Sequence, residues 1–329
     1  MKEITLTLNE AARLKEQLQK LTYPEGKNKT DAEIEQYVAE CLRTFIRYAP
    51  ARLIHALLAA KSLKGHKGGL CVSGLPLDDV QPKAPATGLR SDMVEKTPVA
   101  DASLVAIGSL FGEVTGFTDE KEGELVHDLI PIQGSKKQFS NQGHKTFPWH
   151  NENAIFDIRE AYLLLLGIRP AESGGETWVA SAAEACKKLS ASENKVLRQA
   201  RYKIRRPFVY DGIEGVPQYS EPVPLISGAV DDPIVRAALF PGGTLALDQE
   251  AAAVLAKFEK MLDLVAQGKI LQPGQLFVVD NYRQMHRRSF FKPSFNGYDR
   301  HLKRIFVYHS FQNIRHLQGR YTRILSGRF

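Results

Sequence analysis

The chain has few cysteines and no long hydrophobic run. Its 329 residues include only three cysteines, Cys41, Cys71 and Cys186, which are too far apart for a CxxC motif or a secreted disulfide framework. The longest apolar stretches, such as residues 161–168, are far too short to cross a bilayer. The N-terminus lacks the basic segment and apolar run of a signal peptide. We therefore expect a cytoplasmic protein with no membrane partner.

Two common nucleotide-binding motifs are also absent. No GxGxxG or P-loop pattern opens an expected helix, so nucleotide binding by those routes is not expected. The net charge of +7 favours anionic partners, either small carboxylates or an acidic carrier protein. The same charge also fits a basic surface with no dedicated partner. Because no long block of like charges appears, we expect no nucleic-acid partner.

The spacing of apolar residues changes along the chain. Helical spacing runs through the first 62 residues, with Asp31 as a plausible N-cap, and returns at 100–111 and 249–267. A short strand is expected within 68–75. After residue 125 the pattern predicts short strands separated by turn residues, at 125–132, 161–167, 177–180, 202–209, 276–279 and 304–308.

Strands spread over so long a stretch, with insertions between them, fit a jelly-roll double sheet better than a doubly wound sheet. We expect a single domain that is mainly β with flanking helices. A helical N-terminal region, residues 1–66, would pack on a jelly-roll core, residues 67–309. The helical insert at 249–267 would interrupt this core, and residues 310–329 would form a C-terminal tail.

Two distant segments carry the side chains of a candidate metal site. If the first segment is extended, His150 and Glu152 point to the same side of the strand. His286 supplies a second imidazole. Two imidazoles and one carboxylate on one face of a metal leave the opposite face open, as in non-haem Fe(II) oxygenases. Zinc is an alternative, but hydrolases of that type usually carry HExxH on a helix, which is absent here. The other seven histidines are interpreted as ordinary hydrogen-bonded side chains.

Two further elements contain groups that can bind a ligand. The Gly174–Gly175 pair suits a tight turn and brings Thr177 into the next strand, although alone it would indicate only a hairpin. Arg300 lies fourteen residues after His286, where it can bind a carboxylate through two parallel hydrogen bonds. In a strand, Arg304 faces the same side. Two inward arginines need two anions, such as a dicarboxylic cosubstrate and an amino-acid carboxylate.

Taken together, these elements resemble the clavaminate synthase-like branch of the taurine-dioxygenase superfamily, which contains Fe(II)- and 2-oxoglutarate-dependent oxygenases. The matching segments, in order, are residues 150–156, 174–177, 273–288 and 299–300, and the resemblance spans 68–309. Three positions depart from the family pattern. Asn151 replaces the usual threonine, Gln275 the usual aspartate and Arg287 the usual glycine. Since Arg287 adjoins a ligand histidine, we expect it to change access to the site.

The resemblance implies a role for each matched residue. Iron would be bound by His150, Glu152 and His286. The cosubstrate 2-oxoglutarate would be bound by Arg300 and Thr177, with dioxygen as the third reactant. Substrate binding would involve Arg304 for the carboxylate, Glu152 for the amino group, and Ser140 and Gln138 in the pocket wall.

The implied reaction is hydroxylation of a free L-amino acid at C3 or C4, in the biosynthesis of a specialised metabolite. Two alternatives stay open: the same chemistry on an aminoacyl group tethered to a carrier protein, and a non-oxygenase metal-binding jelly-roll protein. Family arginine hydroxylases carry acidic residues after an Asp-Pro pair. The corresponding stretch here, residues 232–240, has no acid after Pro233. We therefore expect a substrate with a neutral or acidic side chain.

Overall fold

The computed structural model describes residues 2–25, 29–62, 69–80, 82–134, 143–208, 211, 217–314 and 321–326. In chain order its strands are β1 (Lys2–Thr5), β2 (Leu70–Ser73), β3 (Glu113–Phe117), β4 (His127–Leu129), β5 (Phe147–His150), β6 (Tyr162–Arg169), β7 (Thr177–Ser181), β8 (Tyr202–Ile204), β9 (Ile226–Gly228), β10 (Pro233–Val235), β11 (Thr244–Ala246), β12 (Gln267–Lys269), β13 (Leu276–Asp280), β14 (Gln284–Arg288), β15 (His301–Tyr308) and β16 (Ile324–Leu325). Its α-helices are α1 (Leu8–Leu18), α2 (Asp31–Tyr48), α3 (Ala51–Lys61), α4 (Pro98–Phe111), α5 (Ala182–Cys186), α6 (Ala191–Leu197) and α7 (Gln249–Val265).

Two sheets of unequal size form the centre of the molecule. The larger has the strand order β1-β2-β13-β6-β15-β3-β16, with β4 also paired to β15. The smaller has the order β12-β7-β14-β5. Side chains from both sheets, including Leu163, Leu302 and Val179, pack in one shared interior. Two sheets that face each other across a shared interior are the arrangement of the jelly-roll fold predicted from the sequence.

Helices cover the outer faces of both sheets. On β15, Ile305 and Val307 pack against the cluster that contains the buried residues of α1, α2 and α4. The outer face of the smaller sheet packs against α5, α6 and α7 through Ala180 and Met285. Because side chains alternate along a strand, the residues between these outward positions face the interior. Among the described helices, none is long and apolar enough to cross a bilayer.

The structure corrects several expectations about individual elements. The N-cap of α2 is Thr30 rather than Asp31, since the Thr30 hydroxyl accepts the Glu33 amide at 3.2 Å. Within the region expected to be helical, β1 forms a strand that pairs in parallel with β2. In the region expected to be a tail, β16 pairs with β3. Both strands are short and depend on distant partners, so local patterns do not reveal them.

A cluster of buried charges lies between β15 and α4. The Lys303 ammonium lies 2.8 Å from Asp101 on α4 and 2.9 Å from Asp128 on β4. His301 Nε2 lies 2.7 Å from Asp128, and Arg90 pairs with Asp101 at 2.6 Å. All five side chains are buried, and Lys303 is fully buried. This charge cluster ties the outer face of β15 to the helical layer, so it also positions the residues on the inner face.

Candidate active site

The two histidines of the candidate metal site lie opposite each other on neighbouring strands. His150 ends β5 and His286 is the third residue of β14, and the two are direct partners in the antiparallel pairing. Their ring centroids are 4.1 Å apart. One ligand atom from each histidine and one from Glu152 lie within 4.8 Å of one another. The fold therefore brings His286 to His150 and Glu152, from which it is separated by more than a hundred residues in the sequence.

Glu152 reaches this position by a different route from the one expected. It follows the end of β5 and lies in a turn, so the alternation of side chains along a strand does not place it. The turn includes Asn153, which has a positive φ of 51°. The expectation that His150 and Glu152 share a strand face is therefore wrong, because Glu152 is not part of the strand. The two side chains nevertheless converge, and Glu152 Oε1 lies 3.6 Å from His286 Nε2.

The protonation states of His150 and Glu152 suit metal binding. Burial, together with the neighbouring His286, lowers the pKa of His150 to about 3, so its imidazole is neutral at pH 7. Burial alone would raise the pKa of Glu152, but Arg304 and the two histidines outweigh it and hold that pKa at about 2. His150 thus presents a neutral nitrogen donor and Glu152 an ionised carboxylate, which are the forms that bind a metal ion.

Neighbouring groups fix the orientation of the His150 ring. Its Nδ1 lies 2.8 Å from the Pro148 carbonyl oxygen, which leaves Nε2 for a metal. The Phe147 ring stacks on the same imidazole, with 3.9 Å between centroids. In contrast, His286 Nδ1 is buried without a hydrogen-bond partner in the described part of the chain.

Arg300 lies at one end of the cavity, in contact with the glycine turn. Its Nε donates to the Gly175 carbonyl at 3.1 Å and its Nη2 to the Thr177 hydroxyl at 3.3 Å. Gly174 and Gly175 both have positive φ, and a Cβ on Gly174 would lie 2.2 Å from the Phe290 carbonyl oxygen. The tight turn predicted from this pair is confirmed, and it brings a backbone acceptor to the Arg300 guanidinium.

Arg288 is a second buried arginine beside Arg300. It lies on the inner face of β14, directly across from Thr177 in the strand pairing. Its Nη2 donates to the Lys145 carbonyl at 2.8 Å, while its buried Nε has no hydrogen-bond partner among the described residues. Burial lowers the pKa of Arg288 to about 10 and, with Arg288 nearby, that of Arg300 to about 9.

Neither of these two arginines forms an ion pair within the described part of the chain. Burying two guanidinium groups without a carboxylate partner costs free energy of folding, unless an anion binds between them. Their charge, the Thr177 hydroxyl and the nearby donor set therefore fit an anionic ligand that reaches from the metal to this end of the cavity. 2-Oxoglutarate has the required distal carboxylate.

Arg304 faces the other side of the metal site, and its surroundings correct one sequence argument. Its guanidinium lies 2.5 Å from Glu120 and 3.2 Å from Glu152, and His127 Nδ1 is 2.9 Å away. The expectation that this arginine would be unpaired without a substrate is therefore wrong. Neither Glu120 nor His127 was assigned a site role from the sequence. Glu120 lies 184 residues from Arg304 and belongs to no motif.

The expectation that Arg287 changes access to the site stays a prediction, because the residue borders the cavity but its charged group lies elsewhere. Its guanidinium points to the outer face of the smaller sheet, 4.6 Å from the centroid of the Trp149 ring and 5.3 Å from that of Trp178. It pairs with Asp263 on α7 at 2.6 Å, and the same carboxylate oxygen accepts the Trp149 indole N–H at 2.8 Å. This departure from the family pattern therefore strengthens the packing behind the site.

The residues expected to contact the substrate are only partly described. Ser140 and Gln138 lie outside the described residues, so their roles stay predictions. In the stretch 232–240, Asp232 forms two hydrogen bonds with Arg283, at 2.6 and 2.8 Å. Ala238 forms an antiparallel bridge with His150. Since paired residues project to the same side of a sheet, the small Ala238 side chain faces the metal site.

One cavity, partly open to solvent, brings the metal-binding candidates and the buried arginines together. Its walls come from both sheets: the larger sheet contributes Arg304 and leucines of β4, β6 and β15, and the smaller sheet contributes His150, Thr177, His286 and Arg288. The donor set, the unpaired guanidiniums and the cavity together fit an Fe(II) ion with bound 2-oxoglutarate.

Comparisons with known proteins agree with this geometry. Residues 93–306 match the model of the family described as taurine catabolism dioxygenase TauD, TfdA family. L-asparagine oxygenase from Streptomyces coelicolor is 28% identical over 312 residues, which cover 93% of this chain and 89% of the relative. Clavaminate synthase 2 from Streptomyces clavuligerus is 27% identical and covers 84% of each chain.

Solved structures show the same similarity. An asparagine oxygenase in complex with Fe(II), 2S,3S-3-hydroxyasparagine and succinate superposes with a TM-score of 0.87, at 26% identity over 99% of this chain and 100% of that one. The non-heme iron oxygenase OrfP in complex with Fe and α-ketoglutaric acid gives a TM-score of 0.83, at 25% identity over 98% of this chain and 100% of that one.

Proposed function

Because the chain belongs to the TauD, TfdA family of dioxygenases, we propose that the cavity described above hydroxylates a free L-amino acid at C3 or C4. The class of enzyme is an Fe(II)- and 2-oxoglutarate-dependent amino-acid hydroxylase, as its relatives are. The alternative of a non-oxygenase metal-binding protein is therefore wrong. What remains to be proposed is the role of each residue, the form of the substrate and its side chain.

We assign iron binding to His150, Glu152 and His286. The observation that carries this assignment is the convergence of their three ligand atoms at the cavity wall. When bound, iron with 2-oxoglutarate and dioxygen supplies the oxidising chemistry, and the protein supplies orientation and exclusion of water. The leucine side chains opposite the histidines exclude water from the reacting groups.

We assign the distal carboxylate of 2-oxoglutarate to Arg300, with Thr177 and Arg288 beside it. Arg300 is already oriented by Gly175 and Thr177, so its guanidinium group does not need to reorganise when the cosubstrate binds. Arg288 adds a second positive charge in a region of low polarity, where an ionic contact is stronger than in water.

The first prediction concerns this carboxylate site. Arg300→Lys keeps the charge but loses the planar fork, so apparent 2-oxoglutarate binding should weaken by about 1.5–3 kcal/mol. Half-saturation in a succinate-release assay measures the change. Arg198→Lys is a matched control, because Arg198 also donates to a backbone carbonyl, that of Gly228 at 2.7 Å, far from the cavity. Unchanged half-saturation in Arg300→Lys would show that another residue, such as Arg288, carries the interaction.

Arg304 and its two carboxylates suit a free amino acid. The guanidinium can take the α-carboxylate, while Glu120 and Glu152 can take the α-ammonium group. A carrier-tethered aminoacyl group has a thioester in place of that carboxylate, so it would offer Arg304 no negative charge. The net charge of +7 is the observation that favours an acidic carrier protein. We propose the free amino acid because the contacts at the site outweigh a charge spread over the whole chain.

The second prediction concerns the substrate side chain. Asp232 is bound to Arg283, and Ala238 offers no charge beside His150, so the stretch 232–240 brings no carboxylate to a cationic group. Burying a cationic substrate side chain without such a partner would weaken its binding through the free-energy cost of desolvation. In a competition between arginine, lysine, asparagine, glutamine, leucine and glutamate, the neutral or acidic substrates should gain one oxygen atom first. The readout is the mass of each product.

The same panel tests the proposed form of the substrate. The best amino acid is compared with its methyl ester and its N-acetyl derivative, which remove the two charges separately. Both derivatives should react far more slowly than the free acid. A clear preference for arginine or lysine would contradict the side-chain prediction, whereas equal turnover of the ester would favour the tethered substrate.

A further inference from the structure

Glu152 lies beyond the end of β5, and the neighbouring Asn151 side chain connects this segment to other parts of the chain. The Asn151 side chain is buried and forms three hydrogen bonds to main-chain groups. Its Nδ2 donates to the carbonyls of Asn281 and Gln284, each at 2.8 Å. Its Oδ1 accepts the Ala237 amide at 3.1 Å. One amide therefore joins the metal-site strand to three other positions in the chain.

Asn281 makes the complementary contacts. Its Oδ1 accepts the Glu152 amide at 2.9 Å, and its Nδ2 donates to the Glu152 and Glu160 carbonyls at 3.0 and 2.9 Å. Thus the side chain of Asn151 binds the main chain of Asn281, and the side chain of Asn281 binds the main chain of Glu152. We call these two residues the asparagine pair. It holds the turn from both sides.

We propose that Asn151 is a positioning residue that sets the distance from Glu152 to His150 and His286. This inference rests on the proposed function, because it takes these three residues as the metal ligands. Asn151 lies between two of the ligands, and its contacts with Asn281 and Gln284 lie just before the strand residue His286. Without them, the turn that carries Glu152 is joined to this part of the chain only by the Asn281 side chain and by the pairing of His150 with His286.

The proposal also gives a reason for the departure from the family's threonine at this position. A threonine hydroxyl donates one hydrogen bond, so it cannot serve the Asn281 and Gln284 carbonyls together. It is also shorter than the asparagine amide. The longer amide bridges all three segments at once, including the stretch 232–240 through Ala237.

The test measures metal binding as well as turnover. Fe(II) is titrated without oxygen in the presence of 2-oxoglutarate, following the visible charge-transfer band, and Co(II) replaces iron as a second spectroscopic probe. For Asn151→Thr we expect Fe(II) binding about tenfold weaker, the lower range for groups that orient metal ligands. The Co(II) spectrum should change shape, which a loss of stability alone would not cause.

Asn194→Ala is the matched control, since the Asn194 amide also donates to main-chain carbonyls, those of Cys186 and Leu189, but on α6. It should lower the melting temperature and leave both metal measurements unchanged. Asn151→Thr keeps a hydrogen-bonding side chain at this position, so the test does not depend on whether Asn151→Ala folds. Folded Asn151→Thr with wild-type Fe(II) affinity and Co(II) spectrum would overturn this inference. Failure of the wild-type protein to bind Fe(II) would instead overturn the proposed ligand set.

Discussion

The variant His286→Ala is expected to lose turnover completely. His286 supplies one of the two imidazoles at the cavity, and no other histidine in the described part of the chain joins it and His150 in a metal-binding group. Removing a direct ligand should weaken Fe(II) binding by more than about 100-fold, the upper range for groups that only orient ligands. Succinate release, product mass and iron content of the purified protein measure the result.

His55→Ala is the control for this experiment, because His55 is an exposed residue of α3 far along the chain from the site. It should keep full activity and iron content. Glu152→Ala should be inactive as well, but it should retain part of the iron because both imidazoles remain. Full activity in His286→Ala would contradict the proposed ligand set.

The second large effect is expected on stability, in Lys303→Met. The ammonium of Lys303 lies between Asp101 and Asp128, and methionine leaves these buried carboxylates without it. Breaking a buried ion pair by removing one partner typically costs about 3–5 kcal/mol in the free energy of unfolding. Denaturant unfolding of wild type and variant measures the difference. Lys257→Met is the control, since its pair with Glu193 is solvent-exposed and should contribute little to stability.

The charge cluster also has a defined pH dependence. Burial opposes ionisation of Asp128, but Lys303 and His301 outweigh it and hold its pKa well below the ordinary 3.8. A carboxylate with a lowered pKa stabilises the fold above its unfolded-state pKa and loses that contribution as the pH falls further. The stability difference between wild type and Lys303→Met should therefore be constant near neutral pH and shrink below about pH 4.

An unchanged free energy of unfolding in Lys303→Met would show that Arg90 and His301 can neutralise the two carboxylates without it. A difference that grows towards acid pH would contradict the assignment of the charged states. Either result would distinguish the contribution of these charges to the free energy of unfolding from the contribution of the apolar packing around them.

The site residues that the sequence revealed are those within short motifs. His150, His286, Thr177 and Arg300 each belong to a local pattern whose spacing reflects one turn or one strand. The structure brings all four to one cavity. The chemistry of the residue types then limits their roles, because an iron ligand set and a carboxylate fork each require particular side chains.

What the sequence could not reveal are contacts that depend on how distant segments meet. Glu120 approaches Arg304 only because β15 lies beside the segment before β4. The direction of the Arg287 side chain depends on a strand register that has no local signal. The turn at Glu152 also depended on a partner, Asn281, that lies 129 residues away.

The contact of Arg287 with two indole rings has a practical consequence. Trp149 and Trp178 are the only tryptophans of the chain, and they adjoin His150 and Thr177 in the sequence. All indole fluorescence of this protein therefore originates from the layer directly behind the cavity. Since indole emission responds to its immediate surroundings, the intrinsic fluorescence of the unlabelled protein should change when a ligand binds in the cavity.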